Sequence, residues 1–266
     1  MKNVTKIGLI KFTNCLPVNF YLEKERVEQA EYIYGTPAEL NKLLAEGKID
    51  FAPVSAFEYL RSKKNYSNIG NACISSNGEC GSVFLFSKRK IEDLKGCKIG
   101  LPGDSATSIA MLKIILREKG ITSENTEFKQ HDYRGGIDGV LSSGFDAALF
   151  IGDNALKANN SAHSSCNAYD LGRLWKDMTG YPAVFGMFSA RNAWISENPE
   201  LFEKFNNMIN KAIETSLELY FNEIINIASK NLGVEKEIME DYLSAKISYA
   251  FTSNHKKSLD LLESLI

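Results

Sequence analysis

Lys6-Ile7-Gly8-Leu9-Ile10-Lys11-Phe12-Thr13-Asn14-Cys15-Leu16-Pro17 is the stretch from which the fold is read. Ile7–Ile10 is a short apolar run that suits a strand. A helix begins at Leu16-Pro17, where proline in the first turn costs no hydrogen bond. Asn14 then lies just beyond the C-terminal end of a strand, in the turn before a helix. Open α/β sheets bind ligands at that edge. An asparagine amide carries both a donor and an acceptor, so it orients a hydroxyl or carboxylate without being charged. Position alone favours the plainer role of a cap or turn residue.

The same alternation continues outward. Residues 31–34 read as a strand. Thr36-Pro37-Ala38-Glu39 opens a helix, with Thr36 as N-cap, Pro37 in the first turn and Glu39 completing a capping box. That helix runs to about Ala45 and stops at Gly47. Phe51-Ala52-Pro53-Val54 is a strand, and Ser55 caps a helix from Ala56 to about Lys63. Residues 82–87, Ser-Val-Phe-Leu-Phe-Ser, give the clearest strand signal. This βαβα order predicts a largely parallel sheet.

A second set follows. Residues 97–101 form a strand and Pro102-Gly103-Asp104 a turn. A helix starts at Ser105-Ala106-Thr107-Ser108 and reaches about Lys119. A strand is expected near 127–131, a helix near 137–143, and a strand over 146–151 that leads into Gly152-Asp153-Asn154. After the Thr179-Gly180-Tyr181-Pro182 turn an apolar strand covers 183–190. Helices fill the rest, at about 196–230, 235–245 and 254–266, with a break at Asn231-Leu232-Gly233. Two crossings, near 88–90 and 186–192, divide the chain into a discontinuous α/β lobe 1 (1–88 plus 190–266) and an α/β lobe 2 (89–189). That is the plan of a two-lobed solute-binding protein with its cleft between the lobes, able to close over a ligand.

Composition sets the limits. The chain has 266 residues, 44% hydrophobic and 24% charged, with a net charge of −2. Neither a nucleic-acid stripe nor a polybasic membrane patch is visible. No apolar run approaches the ~18 residues of a membrane span, and no apolar leader precedes the first strand. The five cysteines are odd in number and scattered. They form no CxxC pair and no Cys/His cluster, so neither a disulfide framework nor a metal site is indicated. A cytoplasmic protein with reduced thiols is the expectation.

Leu101–Ser108 is the strongest anion-binding candidate. Gly103 permits close backbone approach. The helix start supplies free N–H groups and a positive dipole end, and Ser105, Thr107 and Ser108 add hydroxyls. Capping by Ser105 or Asp104 is the plainer alternative. No nucleotide-loop motif is present. Asp153, at a strand end, binds a substrate hydroxyl, acts as a base, or simply caps a helix. Ser55 and Ser82 face a cleft or serve as cap and edge residues; no Gly-x-Ser-x-Gly elbow surrounds either. His131, His163 and His255 lack paired spacing, and His163 and His255 read as surface residues. Trp175, Trp194, Tyr181 and Phe185 read as core, with an aromatic pocket as the alternative. The tail stripe Ile209, Ile213, Leu217, Tyr220, Ile224 reads as a core face; the alternative is a homodimer contact.

Seven segments in order resemble the chorismate dehydratases of the futalosine route to menaquinone. They are Ile10–Pro17, Asp50–Ser55, Gly81–Ser87, Leu101–Ser108, Ile151–Leu156, Tyr169-Asp170-Leu171 and Thr179–Pro182. The match spans about residues 6–192, and the Tyr181-Pro182-Ala183-Val184 turn departs from the family's more usual Leu-Pro-Phe-Val. The resemblance implies a type II periplasmic-binding-protein-like α/β fold with an interlobe cleft and a helical C-terminal tail. It implies a carbon–oxygen lyase without cofactor, which dehydrates chorismate to 3-[(1-carboxyvinyl)oxy]benzoate. Under it, Ser105, Thr107 and Ser108 hold a carboxylate, with Ser55 and Gly103 also at the substrate. Asn14 and Ser82 orient the departing hydroxyl and the reacting ring edge, and Asp153 fixes a hydroxyl or accepts the proton. A second proton acceptor is the substrate's own enolpyruvyl carboxylate. The rivals are a solute receptor for a small carboxylate and the related later enzyme forming 1,4-dihydroxy-6-naphthoate. That later enzyme's Pro-Cys-Pro-Asn-Asp-like first motif is missing here.

Overall fold

In the computed structural model, which describes residues 4–103, 105–161 and 166–266, the opening apolar run is β1 (Thr5–Leu9). A short 3-10 turn, Thr13–Cys15, links it to α1 (Leu16–Lys24). Next come β2 (Ala30–Tyr34), α2 (Pro37–Ala45), β3 (Phe51–Ser55), α3 (Ala56–Arg61) and β4 (Tyr66–Ser76). The capping box at Thr36 and Glu39 is formed in full. The second lobe holds β5 (Val83–Ser87), β6 (Lys98–Leu101), α4 (Ala106–Arg117), β7 (Glu127–Gln130) and α5 (Gly136–Ser142). It continues with β8 (Ala147–Ile151), α6 (Gly152–Asn159), β9 (Asn167–Asp170) and α7 (Leu171–Thr179). The chain then returns through β10 (Ala183–Arg191) to α8 (Asn192–Glu197), α9 (Pro199–Glu218), α10 (Phe221–Leu232) and α11 (Lys236–Asp241). A π-helical turn (Tyr242–Lys246), β11 (Ser248–Ala250) and α12 (Ser253–Leu265) complete it.

The strands make two sheets, ordered β11-β4-β10-β3-β1-β2 and β7-β6-β8-β5-β9. This corrects the expected boundaries. β5 belongs to the second sheet and β10 to the first, so the crossings fall at about 77–82 and 180–182, not near 88–90 and 186–192. Both sheets are mixed instead of largely parallel. β10 runs antiparallel between β3 and β4, and β5 antiparallel between β8 and β9. The reason is topological: each of these strands follows a crossing and enters its sheet from the opposite end to the βαβ strands.

Asp170 anchors the first crossing. Its carboxylate accepts the backbone N–H groups of Cys80 at 3.0 Å, Gly81 at 2.8 Å and Arg173 at 3.0 Å. Gly172 follows at the start of α7, where a Cβ would collide with Ser76, Gly78 and Cys80. The crossing backbone therefore packs directly on the helix, and only glycine leaves the room.

Lobe 1 has its own core around Leu22, Leu44, Phe51 and Phe205, and the second sheet is covered on both faces. A further apolar cluster joins the lobes: Ala56 and Leu60 from α3, Met111 and Ile114 from α4, Trp175 from α7 and Leu259 from α12. Trp175 is fully buried and donates its indole N–H to Ser258 Oγ at 2.9 Å. Trp194 is core as well.

The tail departs from the helical expectation. The span expected as one helix over 196–230 is interrupted at Asn198 and again at 219–220, and β11 adds an edge strand to β4. Gly233 ends α10 in the left-handed conformation, where the break was expected. His255 is buried, not a surface residue. Its ring bridges Ser75 Oγ, at 3.0 Å, and the N–H of Thr252. Met1–Asn3, Asp104 and Ala162–Ser165, including His163, lie outside the described residues.

Candidate active site

A cleft between the lobes is lined by Ile10, Phe12, Asn14, Cys15, Ser55 and Ser82, among others. Ser105, Thr107, Ser108, Gly152, Phe185 and Gly186 also line it. The space between these residues, counted together with the solvent at its mouth, is about 680 Å3. Six of the eight residues expected at the site therefore meet here. The other two do not line it. Gly103 is exposed and lies against the Gln130 side chain. Asp153 sits behind the lining, because its carboxylate turns towards the Thr13–Cys15 turn.

Asp153 accepts the Thr13 N–H at 3.0 Å and also a hydrogen bond from the Thr13 side chain. Burial pushes its carboxyl above the usual range, and these bonds partly offset that push. The neighbouring Cys15 thiol is pushed up to about 12, chiefly by burial and further by the Asp153 charge. Cys15 is thus a neutral thiol at physiological pH.

Helix starts converge on the cleft. α1, α4 and α6 each point their N-terminal end at it, represented in the lining by Asn14-Cys15, Ser105–Ser108 and Ile151-Gly152. Ser105 makes no side-chain capping hydrogen bond, so the first N–H groups of α4 are not satisfied by it. Gly152 opens α6 at φ +53, and a Cβ there would press on the Phe12 ring at 3.4 Å.

The hydroxyls are poised as donors. Ser82 Oγ receives the Tyr242 hydroxyl at 2.9 Å. Thr107 Oγ1 receives the Phe57 N–H at 3.0 Å, across the lobes. Ser55 Oγ receives the Glu58 N–H at 3.2 Å and the Asn41 amide at 3.5 Å. A hydroxyl has one proton and two lone pairs. Each accepts at least one hydrogen bond and donates none to a described residue, so each has its own O–H to offer a ligand. Among the described lining residues none carries Lys, Arg, His, Asp or Glu. The cleft therefore offers amides, hydroxyls and helix ends, a set that can hold an anion without formal charge among the described lining residues. Phe12, Phe185, Pro37, Pro53, Ile10 and Val54 supply flat apolar walls for a ring.

Sequence reasoning missed Tyr242 and Tyr249, which grip this lining from the tail. Tyr249 donates its hydroxyl to the Asn14 carbonyl at 2.9 Å. The Tyr-x6-Tyr spacing was visible, but a tail read as helical gave no reason to bring it to the cleft.

Comparison with known proteins gives the family and the fold. A chorismate dehydratase of Thermus thermophilus is 28% identical over 251 residues, covering 89% of this chain and 86% of that protein. The chorismate dehydratase of Campylobacter jejuni is 26% identical over 257 residues, covering 95% and 93%. Among solved structures, protein AF1704 of Archaeoglobus fulgidus superposes with a TM-score of 0.79 at 17% identity, covering 98% of this chain and 95% of that one. The periplasmic aliphatic sulphonate binding protein SsuA of Escherichia coli gives 0.72 at 14% identity, covering 99% and 88%. The fold is thus periplasmic-binding-protein-like. The family profile for menaquinone biosynthesis matches residues 5–266, nearly the whole described length, and the chain belongs to that family.

Proposed function

We propose that this chain is a chorismate dehydratase, a hydro-lyase that converts chorismate to 3-[(1-carboxyvinyl)oxy]benzoate and water. We assign it to the futalosine route to menaquinone, in the cytoplasm. The names of its relatives support the substrate. Its five free cysteines fit a reducing compartment. The observation that carries the reading is the cleft's donor set: Asn14, Ser55, Ser82, Ser105, Thr107 and Ser108 around an uncharged, flat-walled space.

Chorismate suits that set. It is a dianion with one carboxylate on the ring and one on the enolpyruvyl arm. The ring C3–H is vinylogous to the ring carboxyl and hence weakly acidic. Loss of that proton and of the C4 hydroxyl makes the ring aromatic. The protein's task is then orientation and anion stabilisation more than strong acid–base chemistry. Ser105, Thr107 and Ser108, at the α4 N-terminus, hold one carboxylate. Asn14 and Ser82 orient the C4 hydroxyl and the ring edge. Gly103 is exposed and lies outside the cleft lining, so no role is assigned to it.

We assign the proton acceptor by weighing the described residues around the cleft. Asp153 is engaged by Thr13 and stands outside the lining, and the Cys15 thiol is neutral. The enolpyruvyl carboxylate of the substrate takes the C3 proton. The same proton then joins the departing C4 hydroxide as water, which restores the carboxylate. Asp153 fixes the turn that carries Asn14.

The test is incubation of the purified protein with chorismate, followed by detection of a new aromatic product and of a ligand-dependent thermal shift. Turnover supports the dehydratase. Binding without turnover identifies a solute receptor. Absence of both points to the later enzyme of the route or to another ligand.

A further inference from the structure

Two tyrosines from the tail approach the cleft from behind. Tyr242 is 1% exposed and Tyr249 5%. Tyr242 lies in a π-helical turn, Tyr242–Lys246, and Tyr249 in the three-residue strand β11 that follows. π-turns are rare and recur at functional sites, since they rotate one side chain out of helical register. Here the turn delivers a lobe 1 hydroxyl to Ser82, which stands on the crossing at the start of lobe 2. Tyr249 stays within lobe 1 and reaches the carbonyl of Asn14.

The direction of both bonds follows from chemistry. A carbonyl only accepts, so Tyr249 donates to Asn14. A phenol oxygen gives up lone-pair density to its ring, so it donates better than an alkyl hydroxyl and accepts worse. Tyr242 therefore donates to Ser82, and no other acceptor meets its proton among the described residues. Burial raises both phenols well above their ordinary pKa, so both protons stay in place across the working pH range. Ser82 is left with one proton and one direction to send it. Asn14 is left with its side-chain amide free and its backbone fixed from two sides, by Tyr249 on its carbonyl and by Asp153 on the preceding turn.

We infer that Tyr242 and Tyr249 are positioning residues for the dehydration: Tyr242 fixes the Ser82 hydroxyl as a donor to the substrate, and Tyr249 fixes the turn that presents the Asn14 amide. This rests on the dehydratase reading above. Neither tyrosine lines the cleft, so each acts through its partner.

The experiment is a pair of double-mutant cycles in the full chain, with chorismate as substrate and thermal unfolding alongside. Tyr242→Phe keeps the ring and removes only the donor. It is expected to lower kcat roughly tenfold, the value of one hydrogen bond realised in the transition state, with a smaller change in KM. The same substitution in a Ser82→Ala background is expected to have no further effect on kcat. Tyr249→Phe is expected to lower kcat in the Asn14-containing enzyme and not in an Asn14→Ala background. A purely structural role would lower the unfolding temperature and reduce kcat by the same factor in both backgrounds, and that result overturns the inference. Wild-type protein that gives no aromatic product from chorismate overturns the dehydratase reading and this inference together. Wild-type turnover with additive losses overturns the positioning role alone.

Discussion

Thr13 and Asp153, 140 positions apart in sequence, are joined across the lobes by a 3.0 Å hydrogen bond from the Thr13 N–H to the carboxylate. The bond suspends the Asn14 turn from lobe 2. It does so at some cost, because burial raises the Asp153 carboxyl above its ordinary pKa even though Thr13 stabilises the charge. The interlobe hydrogen bond and the protonation of one acid are therefore linked.

Asp153→Asn tests that linkage. The folded pKa is raised, so between the ordinary Asp value of about 4 and the higher folded value the native state binds more protons than the unfolded state. Wild-type stability from this group is then fully present below about pH 4 and falls as pH rises through the folded value. An asparagine keeps an acceptor for the Thr13 N–H and does not titrate. Unfolding temperatures of both proteins across pH 4–8 are expected to show the wild type losing ground to the variant as pH rises. A wild-type advantage that grows with pH would mean that the charged hydrogen bond outweighs burial.

Asn14→Ala and Ser82→Ala each remove a neutral donor facing an anionic substrate. Hydrogen bonds to charged groups contribute about 1.5–3 kcal/mol, so either variant is expected to lose roughly ten- to hundredfold in turnover. Circular dichroism should show the fold retained in both; Asn14→Ala is expected to unfold near the wild-type temperature, and Ser82→Ala lower, since it leaves the buried Tyr242 hydroxyl without its acceptor at a cost of about 1–3 kcal/mol. Asn14→Ala turning over chorismate at the wild-type rate would remove Asn14 from the mechanism.

Thr107→Val is nearly isosteric but strips Oγ1, which both receives the Phe57 N–H and offers a proton to the cleft. Thr107 is 2% exposed, so the abandoned N–H has little water nearby. The expected result is a loss of about 1–2 kcal/mol of stability together with a raised KM. A change in KM without any change in unfolding temperature would mean that the interlobe bond contributes nothing to the resting protein.

Much of the molecule was legible in the chain. The capping box at Thr36 and Glu39, the strand-turn-helix at Asn14 and the hydroxyl-rich start of α4 are local features, and local features write themselves into sequence. β4 was missed because Gly70 and Asn71 interrupt its apolar pattern at a kink, where both adopt positive φ. The exchange of β5 and β10 between sheets was missed because antiparallel partners far apart in sequence leave no local mark. Asp153 was read as a cleft residue, since a carboxylate at a strand end looks the same whether it faces ligand or a backbone N–H. Tyr242 and Tyr249 were hidden by a tail whose periodicity is mostly helical and whose π-turn has no sequence signature.

The pH dependence of turnover tests the assignment of the proton to the substrate itself. Among the described lining residues, Cys15 is the one titratable side chain, and burial with the Asp153 charge pushes its thiol up to about 12. Tyr242 and Tyr249 are displaced upward as well, away from neutrality. A carboxylate on the substrate is already ionised above about pH 5. Among the described residues no group that faces the substrate then changes state between pH 6 and 9, and kcat/KM is expected to be level across that range. A histidine base would give a limb near pH 6.5, and a thiolate base would make the rate climb towards pH 9. Either limb, seen with pH-independent folding by circular dichroism, would show that a protein side chain takes the C3 proton and would return the search to the residues behind the lining.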